Sequence, residues 1–410
     1  MIRSFYIDNF KSLVDFRLPP LPHRLAKFTC LVGLNGAGKS TVLQALDFIG
    51  HMTSGHISAW LRQRDWDDAD LKSRFLNRVL INFELVLEVP GVGVIEWQGA
   101  YNATLRRCTA ESVRVGDVDV LKLSEDSIIA SGRDSASPLV IPRQGVQYEG
   151  SVLSLLDTKR GLHPALQALK ASASALRSLD MLNPREMRRR SRDAVDIGYG
   201  GERLSGYLHG LSRASKDSLL TALQGFYPQL KGLTTKGMRA GWRDLRISES
   251  YPDAQKRSLD TPARQINDGL LRILAVLSQV TPVSRASPTP ATDDSSALAD
   301  APCVLFDEIE NGINPELMEK LVELLLNTDR QVIVTTHSPL VMNYLPDDVA
   351  RAAVLLLFRN VAGHTKVVRL FDLPSTQKKL RLLGPGEVYV DTRLEELPAE
   401  AEQWLEEQAS

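Results

Sequence analysis

Residues Gly33-Leu-Asn-Gly-Ala-Gly-Lys-Ser-Thr41 constrain this chain more than any other stretch. The apolar run Phe28-Thr-Cys-Leu-Val32 precedes them and reads as a short buried strand. Val42 to Ile49 follows and reads as a helix with Leu43, Leu46 and Ile49 toward a core. The spacing fits G-x-x-x-x-G-K-[S/T], with Gly33, Gly38, Lys39 and Ser40 in place. A strand, a glycine loop and a helix start make an anion cradle, because backbone N–H groups converge there and the helix dipole adds positive potential. The rival reading is a glycine-rich turn without chemistry, and the number of constrained positions with the right flanks argues against it. The candidate nucleotide-binding residues are therefore Gly33, Asn35, Gly36, Ala37, Gly38, Lys39, Ser40 and Thr41. Lys39 would reach the β- and γ-phosphates, and the Ser40 hydroxyl would ligate Mg²⁺.

The rest of the composition narrows the setting. At 410 residues the chain has room for two or three domains, or for one large domain with insertions. A formal net charge of −1 gives no overall basic character, so local patches must carry any claim on nucleic acid. Cys30, Cys108 and Cys303 are too few and too scattered for a disulfide framework or a zinc cluster. No run approaches the roughly 20 apolar residues of a membrane helix. The expectation is a cytoplasmic protein without membrane contact.

Read in order, the first third is rich in strands. Ile2 to Ile7 and Val79 to Glu88 alternate apolar and polar residues; Val94 to Trp97, Tyr101 to Arg107 and Val113 to Leu123 extend the pattern. His51 to Asp70 resists assignment. From about Val152 leucines recur at helical steps, and helices are expected to about Leu223, with a strand near Asp244 to Glu249. Ile273 to Leu277 is apolar nearly all round, as a buried helix would be. Residues 281–302 hold almost no large apolar side chain and read as a flexible loop. Later strands are expected at Cys303 to Phe306, Gln331 to Thr336, Ala352 to Phe358 and Val367 to Phe371. A basic helix around Lys378 to Leu383 and an acidic one over Leu397 to Gln408 close the chain. The expected layout is an N-terminal ATPase lobe with an antiparallel β subdomain over 1–150, and a helical insertion over 151–242. A C-terminal lobe follows over 243–350, with its terminal strands and helices over 351–410.

A phosphate loop needs a carboxylate for Mg²⁺ and a group that acts on the attacking water. Asp307 and Glu308, at the end of an apolar strand, fit the two roles in that order. His337 ends the next expected strand, on the rim where ligands gather in open α/β sheets. Asn267-Asp-Gly269 opens a helix. It reads either as a turn with an N-cap or as a second helix start offered to a phosphate.

This combination resembles the ABC-class ATPases of the RecF and SMC branch. Within it the chain is similar to the compact bacterial ATPases related to the overcoming-lysogenisation-defect proteins. The likeness rests on Asn9-Phe-Lys-Ser12, the phosphate loop, Arg264 to Leu277 as a degenerate signature, Asp307 to Pro315, and Thr336-His-Ser-Pro339. Gly200-Gly-Glu-Arg-Leu204 and Gly386-Glu-Val-Tyr389 resemble weaker landmarks. The resemblance implies an α/β fold: a P-loop parallel sheet core, an antiparallel β subdomain and a helical insertion. It also implies ATP and Mg²⁺ as ligands, and a head-to-tail homodimer in which Asn267, Asp268 and Gly269 act on the partner's nucleotide. Lys11 and Ser12 would lie near the nucleotide, and Asn314 would take the place of an acid in the relatives' dimer-contact loop. Gln63 is the nearest candidate for the Mg²⁺-sensing glutamine.

Larger relatives carry a toprim nuclease with an Asp-x-Asp metal site, and no Asp-x-Asp occurs after His337. A separately encoded effector, for instance a nuclease, is therefore the expected partner. Arg185, Arg188, Arg189 and Arg192 fall at i, i+3, i+4 and i+7. On one helix they would form a basic stripe, either solvated or in contact with DNA or a partner. The functional expectation is an ATPase whose dimer controls phage defence or DNA repair. The alternative is a nucleotide-gated scaffold with negligible turnover.

Overall fold

The computed structural model describes residues 1–133, 137–159, 161–179, 183–251, 258–285 and 303–409. In chain order the strands and helices begin with β1 (Ile2–Asp8), β2 (Phe16–Leu18), β3 (Phe28–Val32), α1 (Lys39–Ser54), α2 (Ile57–Arg64) and α3 (Asp68–Leu71). Then come β4 (Leu80–Val89), β5 (Gly93–Asn102), β6 (Arg107–Val115), β7 (Val118–Leu123), β8 (Ser127–Ala130), β9 (Leu139–Pro142) and α4 (Pro164–Ser174). The middle holds β10 (Ser178–Leu179), α5 (Pro184–Met187), α6 (Leu204–Gly210), α7 (Arg213–Gln224), β11 (Leu230–Gly237), β12 (Arg243–Ser250), β13 (Ser258–Pro262) and α8 (Asp268–Val280). The last third holds β14 (Cys303–Phe306), α9 (Pro315–Asn327), β15 (Gln331–Thr335), α10 (Pro339–Asn343), α11 (Asp347–Ala353), β16 (Val354–Arg359), β17 (Thr365–Arg369), α12 (Pro374–Lys379), α13 (Pro385–Val390) and α14 (Leu397–Ala409).

Two compact units result, the first from Met1–Arg177, Ala301–Leu305 and Gln331–Ser410, the second from Ser178–Asp300 and Phe306–Arg330. In the first unit an antiparallel sheet runs β2-β1-β4-β5-β6-β7-β8-β9. Its β4 alternates as its sequence requires, with Ile81, Phe83, Leu85 and Leu87 buried. A second sheet includes β14-β15-β3-β16-β17 in that order, with β15 and β16 both parallel to β3. All five residues of β3 are buried, as a central parallel strand demands. One apolar core joins α1 to both sheets, and Phe48 of α1 meets the Tyr101 ring edge-on at 5.0 Å. Among the described residues, no helix is long and apolar enough to cross a membrane.

In the second unit α8 is buried along most of its length, as its apolar sequence predicts. β11, β12 and β13 form a three-stranded antiparallel sheet. Leu233, Leu245 and Ile247 fill one of its faces.

Several expectations need correction. Tyr101 to Arg107 is not a strand: Tyr101 ends inside β5, and Asn102 accepts from the Leu105 amide to close the turn into β6. His51 to Asp70 is largely helical, completing α1 and forming α2 and α3. The terminal basic helix starts earlier than its lysines suggest, because Pro374 occupies the first helical turn of α12. Of the loop expected at 281–302, residues 286–302 lie outside the described residues.

Candidate functional site

The phosphate loop leaves β3 at Gly33 and enters α1 at Gly38, and both glycines have positive φ, 142° and 106°. A Cβ at Gly33 would strike the Leu357 carbonyl, and one at Gly38 the Thr365 hydroxyl. Only glycine fits either position. Around Gly36, at the loop's outer turn, a Cβ would meet nothing within 4 Å. No side chain caps the N-terminus of α1, and its first turn holds no acid. An uncapped helix of 16 residues presents its first amides and its dipole to an anion. The Lys39 ammonium is buried and donates to the carbonyls of Gly33 at 2.9 Å and Leu34 at 3.1 Å. These residues fit a bound triphosphate.

Neighbouring strands hold the loop in place. Thr365 donates from its hydroxyl to the Ala37 carbonyl at 2.9 Å, and lies at the same distance from the Ser12 hydroxyl. The Thr365 amide donates to the Ser12 carbonyl, so Ser12 is packed against the loop. Arg359, at the end of β16, donates from Nε to the Gly36 carbonyl at 2.8 Å.

A cavity of about 540 Å³ opens beside the loop, and Lys11, Ser12, Thr41, Trp66, Phe75 and Arg359 contribute to its lining. The segment that the sequence left unassigned builds one of its walls. Asp47 of α1 accepts from Trp60 Nε1 at 2.7 Å and from Arg64 at 2.6 Å, pinning α2 to α1. Arg64 and Lys11 both lie against the Trp66 ring, at 4.9 and 3.2 Å from its centroid. Lys11 also donates to Gln44 at 3.0 Å. Burial alone would raise the pKa of Asp47; His51, Arg64 and Arg177 outweigh it and hold the carboxyl well below its usual range. Burial, with Arg177 nearby, lowers the pKa of His51, so at neutral pH the guanidinium groups carry the opposing charge.

His337 belongs to the same unit. β15 runs parallel to β3 with Thr335 opposite Leu31, and the Thr336 amide donates to the Leu31 carbonyl. His337 and Gly33 therefore leave the sheet at the same end and the same level. Thr336 and Ser338 cap the turn that follows, and Ser338 starts α10. Gly386 lets α13 sit on α10, since a Cβ there would strike the Pro339 carbonyl and Asn343.

The second unit holds the other sequence candidates. Asp307 and Glu308 follow β14 directly and are half-buried. Glu308 takes a φ of 47°, unusual for a side chain of its size, and accepts from Asn311 at 3.3 Å. Arg272 of α8, missed in the sequence, has its pKa lowered by burial and is opposed in that by the charges of Asp268 and Glu308. A Cβ at Gly312 would meet its Nε at 2.8 Å. Asn267 caps α8 by accepting from the Leu270 amide at 2.8 Å, and Asn314 caps α9 by accepting from Glu316 at 3.2 Å. Gly269 sits in the first turn of α8. Gln63 lies exposed on α2 of the first unit.

The arginine stripe does not exist as one helical face. α5 stops at Met187, and the Arg188 side chain binds the Ile266 carbonyl at 2.6 Å and the Asp268 carboxylate. Arg185 remains exposed on α5, Arg189 pairs with Glu186 at 2.8 Å, and Arg192 lies over Trp242.

Comparisons with known proteins agree with this geometry. An AAA ATPase domain family matches residues 1–85, and a family described as "AAA domain, putative AbiEii toxin, Type IV TA system" matches residues 243–343. No curated protein matches the sequence. Among solved structures, an Smc head bound to the C-winged helix domain of ScpA is similar at a TM-score of 0.52 and 14% identity, over 93% of this chain and 99% of that one. An Smc head domain with an extended coiled coil, bound to the C-terminal domain of ScpA from Pyrococcus furiosus, gives 0.51 and 13% over the same shares. The chain thus matches AAA-type ATPase domain families at both places and shares the fold of Smc head domains.

Proposed function

We propose that this chain binds and hydrolyses ATP with Mg²⁺, and that nucleotide gates its head-to-tail homodimer. The observation that carries the reading is the uncapped, acid-free start of α1 behind two positive-φ glycines, with buried Lys39 facing the loop. Lys39 holds the β- and γ-phosphates, and the N–H groups from Asn35 to Thr41 cradle them. Lys11 and Ser12 support the site from β1's side of the chain. Ser40 and Asp307 serve Mg²⁺, Glu308 acts on the attacking water, and His337 hydrogen-bonds the γ-phosphate. Gln63 is the weaker candidate for sensing the metal. Asn267, Asp268 and Gly269 act on the nucleotide of a second copy, next to the Asn314 contact loop. Since Asn267 already caps α8, it is the backbone of that helix start that meets the phosphate.

The output is control of a cytoplasmic, DNA-related process, defence or repair, through a separate effector such as a nuclease. The toxin wording of the family matched over 243–343 favours defence. The ScpA domains bound to the Smc heads support a protein partner. Light scattering of a Glu308→Gln variant tests the gating: ATP should convert monomer to dimer. A mass that ATP leaves unchanged in a monomeric sample contradicts it. Moving such an equilibrium from 1:99 to 99:1 needs roughly 5.5 kcal/mol of differential binding.

A further inference from the structure

The second unit carries a surface that the ATP site does not use. In the β11–β12 hairpin, Leu233 pairs with Ile247 and Thr235 with Leu245 on the buried face. Side chains alternate along a strand, so Thr234, Lys236, Asp244 and Arg246 point to the other face. Met238 and Trp242 continue that face at the tip, where the Met238 amide donates to the Trp242 carbonyl at 2.8 Å. Ala240 and Gly241 turn the chain there with φ values of 58° and 78°.

A third segment joins the same face. Ser191 and Arg243 exchange backbone hydrogen bonds of 3.3 and 2.8 Å, which leaves Arg190 and Arg192 with Asp244 and Trp242. Arg190 Nε lies 3.2 Å from the Asp244 carboxylate, and the Arg192 guanidinium lies 5.5 Å from the Trp242 ring centre. This segment is fixed in place. The Gly206 amide donates to the Ser191 hydroxyl at 2.7 Å, and a Cβ at Gly206 would strike the Arg192 carbonyl.

The face is basic and aromatic. Arg190 and Arg246 pair with Asp244, and Arg246 also with Asp260. Among the described residues, Arg192, Lys236 and Arg239 have no carboxylate partner, and all three are exposed. Trp242 is 40% exposed and Met238 37%. A guanidinium-backed indole beside uncompensated cations offers a flat stacking surface next to phosphate contacts. A duplex hides its base faces, whereas a single strand presents them.

We propose that this face binds single-stranded nucleic acid, with a base stacked on Trp242 and phosphates held by Arg192, Lys236 and Arg239. An acidic protein segment could meet the cations, but it offers the indole a planar partner only where an aromatic residue happens to fall, whereas every nucleotide carries one beside its phosphate.

The test uses the full-length chain and fluorescein-labelled single strands of about 20 nucleotides, oligo-dT and oligo-rU, read by anisotropy. Binding should be measurable at about 50 mM salt and weaken with a log–log salt slope near −2, as three phosphate contacts require. It should also quench tryptophan fluorescence. Trp242→Ala should weaken binding about 10- to 100-fold, and Trp242→Phe should restore most of it. Arg192→Gln and Lys236→Glu should each flatten the salt slope by about 0.7. Preference between the DNA and RNA strands decides the natural ligand and supports the proposal either way. Unchanged affinity in Trp242→Ala overturns it, as does equal affinity for a duplex of the same sequence. Capture of an acidic peptide by wild type with no oligonucleotide binding also overturns it. If Trp242→Ala does not fold, the Arg192→Gln slope and the wild-type quenching take its place, and an unchanged slope without quenching overturns the proposal.

Discussion

Arg359 donates through Nε to the carbonyl of Gly36, tying the tip of the phosphate loop to the end of β16, while its NH1 donates to Gly363 at 2.7 Å. The guanidinium thus bridges two backbone oxygens and leaves a positive charge on the cavity wall. Arg359→Ala should raise the Kd for ATP about tenfold, the scale of one charge-assisted hydrogen bond. Arg359→Lys should not recover it, since an ammonium cannot span both oxygens with the fork of a guanidinium. Isothermal titration with ATP checks both variants, and wild-type affinity in Arg359→Ala would refute the role.

Gly386 faces the Pro339 carbonyl and Asn343, with no room for a methyl group. Gly386→Ala must push α13 away from α10, and overpacking of this kind costs about 2 kcal/mol. The melting temperature should fall by a few degrees. ATP turnover should fall as well, because α10 begins immediately after the turn that carries His337. Gly386→Ala at wild-type stability would show that the two helices separate freely.

Asp47 and His51 make stability depend on acid. The folded pKa of His51 lies below its ordinary 6.5, so the neutral ring is favoured in the fold. Its contribution is complete above about pH 6.5 and is lost as the pH falls toward the folded value. The folded pKa of Asp47 lies below its ordinary 3.8, so its contribution is complete above that value and is lost on further acidification. Thermal melts from pH 8 downward should show stability declining from about pH 6.5. His51→Gln should remove the upper part of that decline. Asp47→Asn should cost about 3–5 kcal/mol at neutral pH, because it breaks the buried ion pair that Asp47 makes with Arg64. A flat pH profile in wild type would contradict the assignment.

What the sequence disclosed depended on the range of the physics. The loop, β3 and α1 are written in adjacent residues, as a buried apolar run, fixed glycines and an amphipathic turn. α8 and β14 were equally legible, because continuous apolar runs have few places to go but the core. The cavity wall was not, since its polar contacts are long-range: Trp60 and Arg64 bind Asp47 of α1, and Ser58 binds Glu149, 91 residues away. Arg359 could not be seen at all: 323 residues separate it from Gly36. The arginine stripe failed for the same reason. Its spacing was helical, but Arg188 is committed to a backbone carbonyl 78 residues away, and the helix ends there. Asn267 shows the opposite case, where the local capping chemistry was legible and is what the structure contains; the cap that Asn314 makes on α9 comes from the structure alone.

The most direct test of the account is steady-state phosphate release from ATP by wild type, Lys39→Ala and Glu308→Gln, paired with ATP binding by each. Wild type should turn over. Lys39→Ala should neither bind nor hydrolyse, and Glu308→Gln should bind ATP normally while hydrolysing at least about 100-fold more slowly. Magnesium removal should silence wild type. Phosphate release that persists at the wild-type rate in Lys39→Ala, or an ATP affinity that this substitution leaves unchanged, would contradict the account.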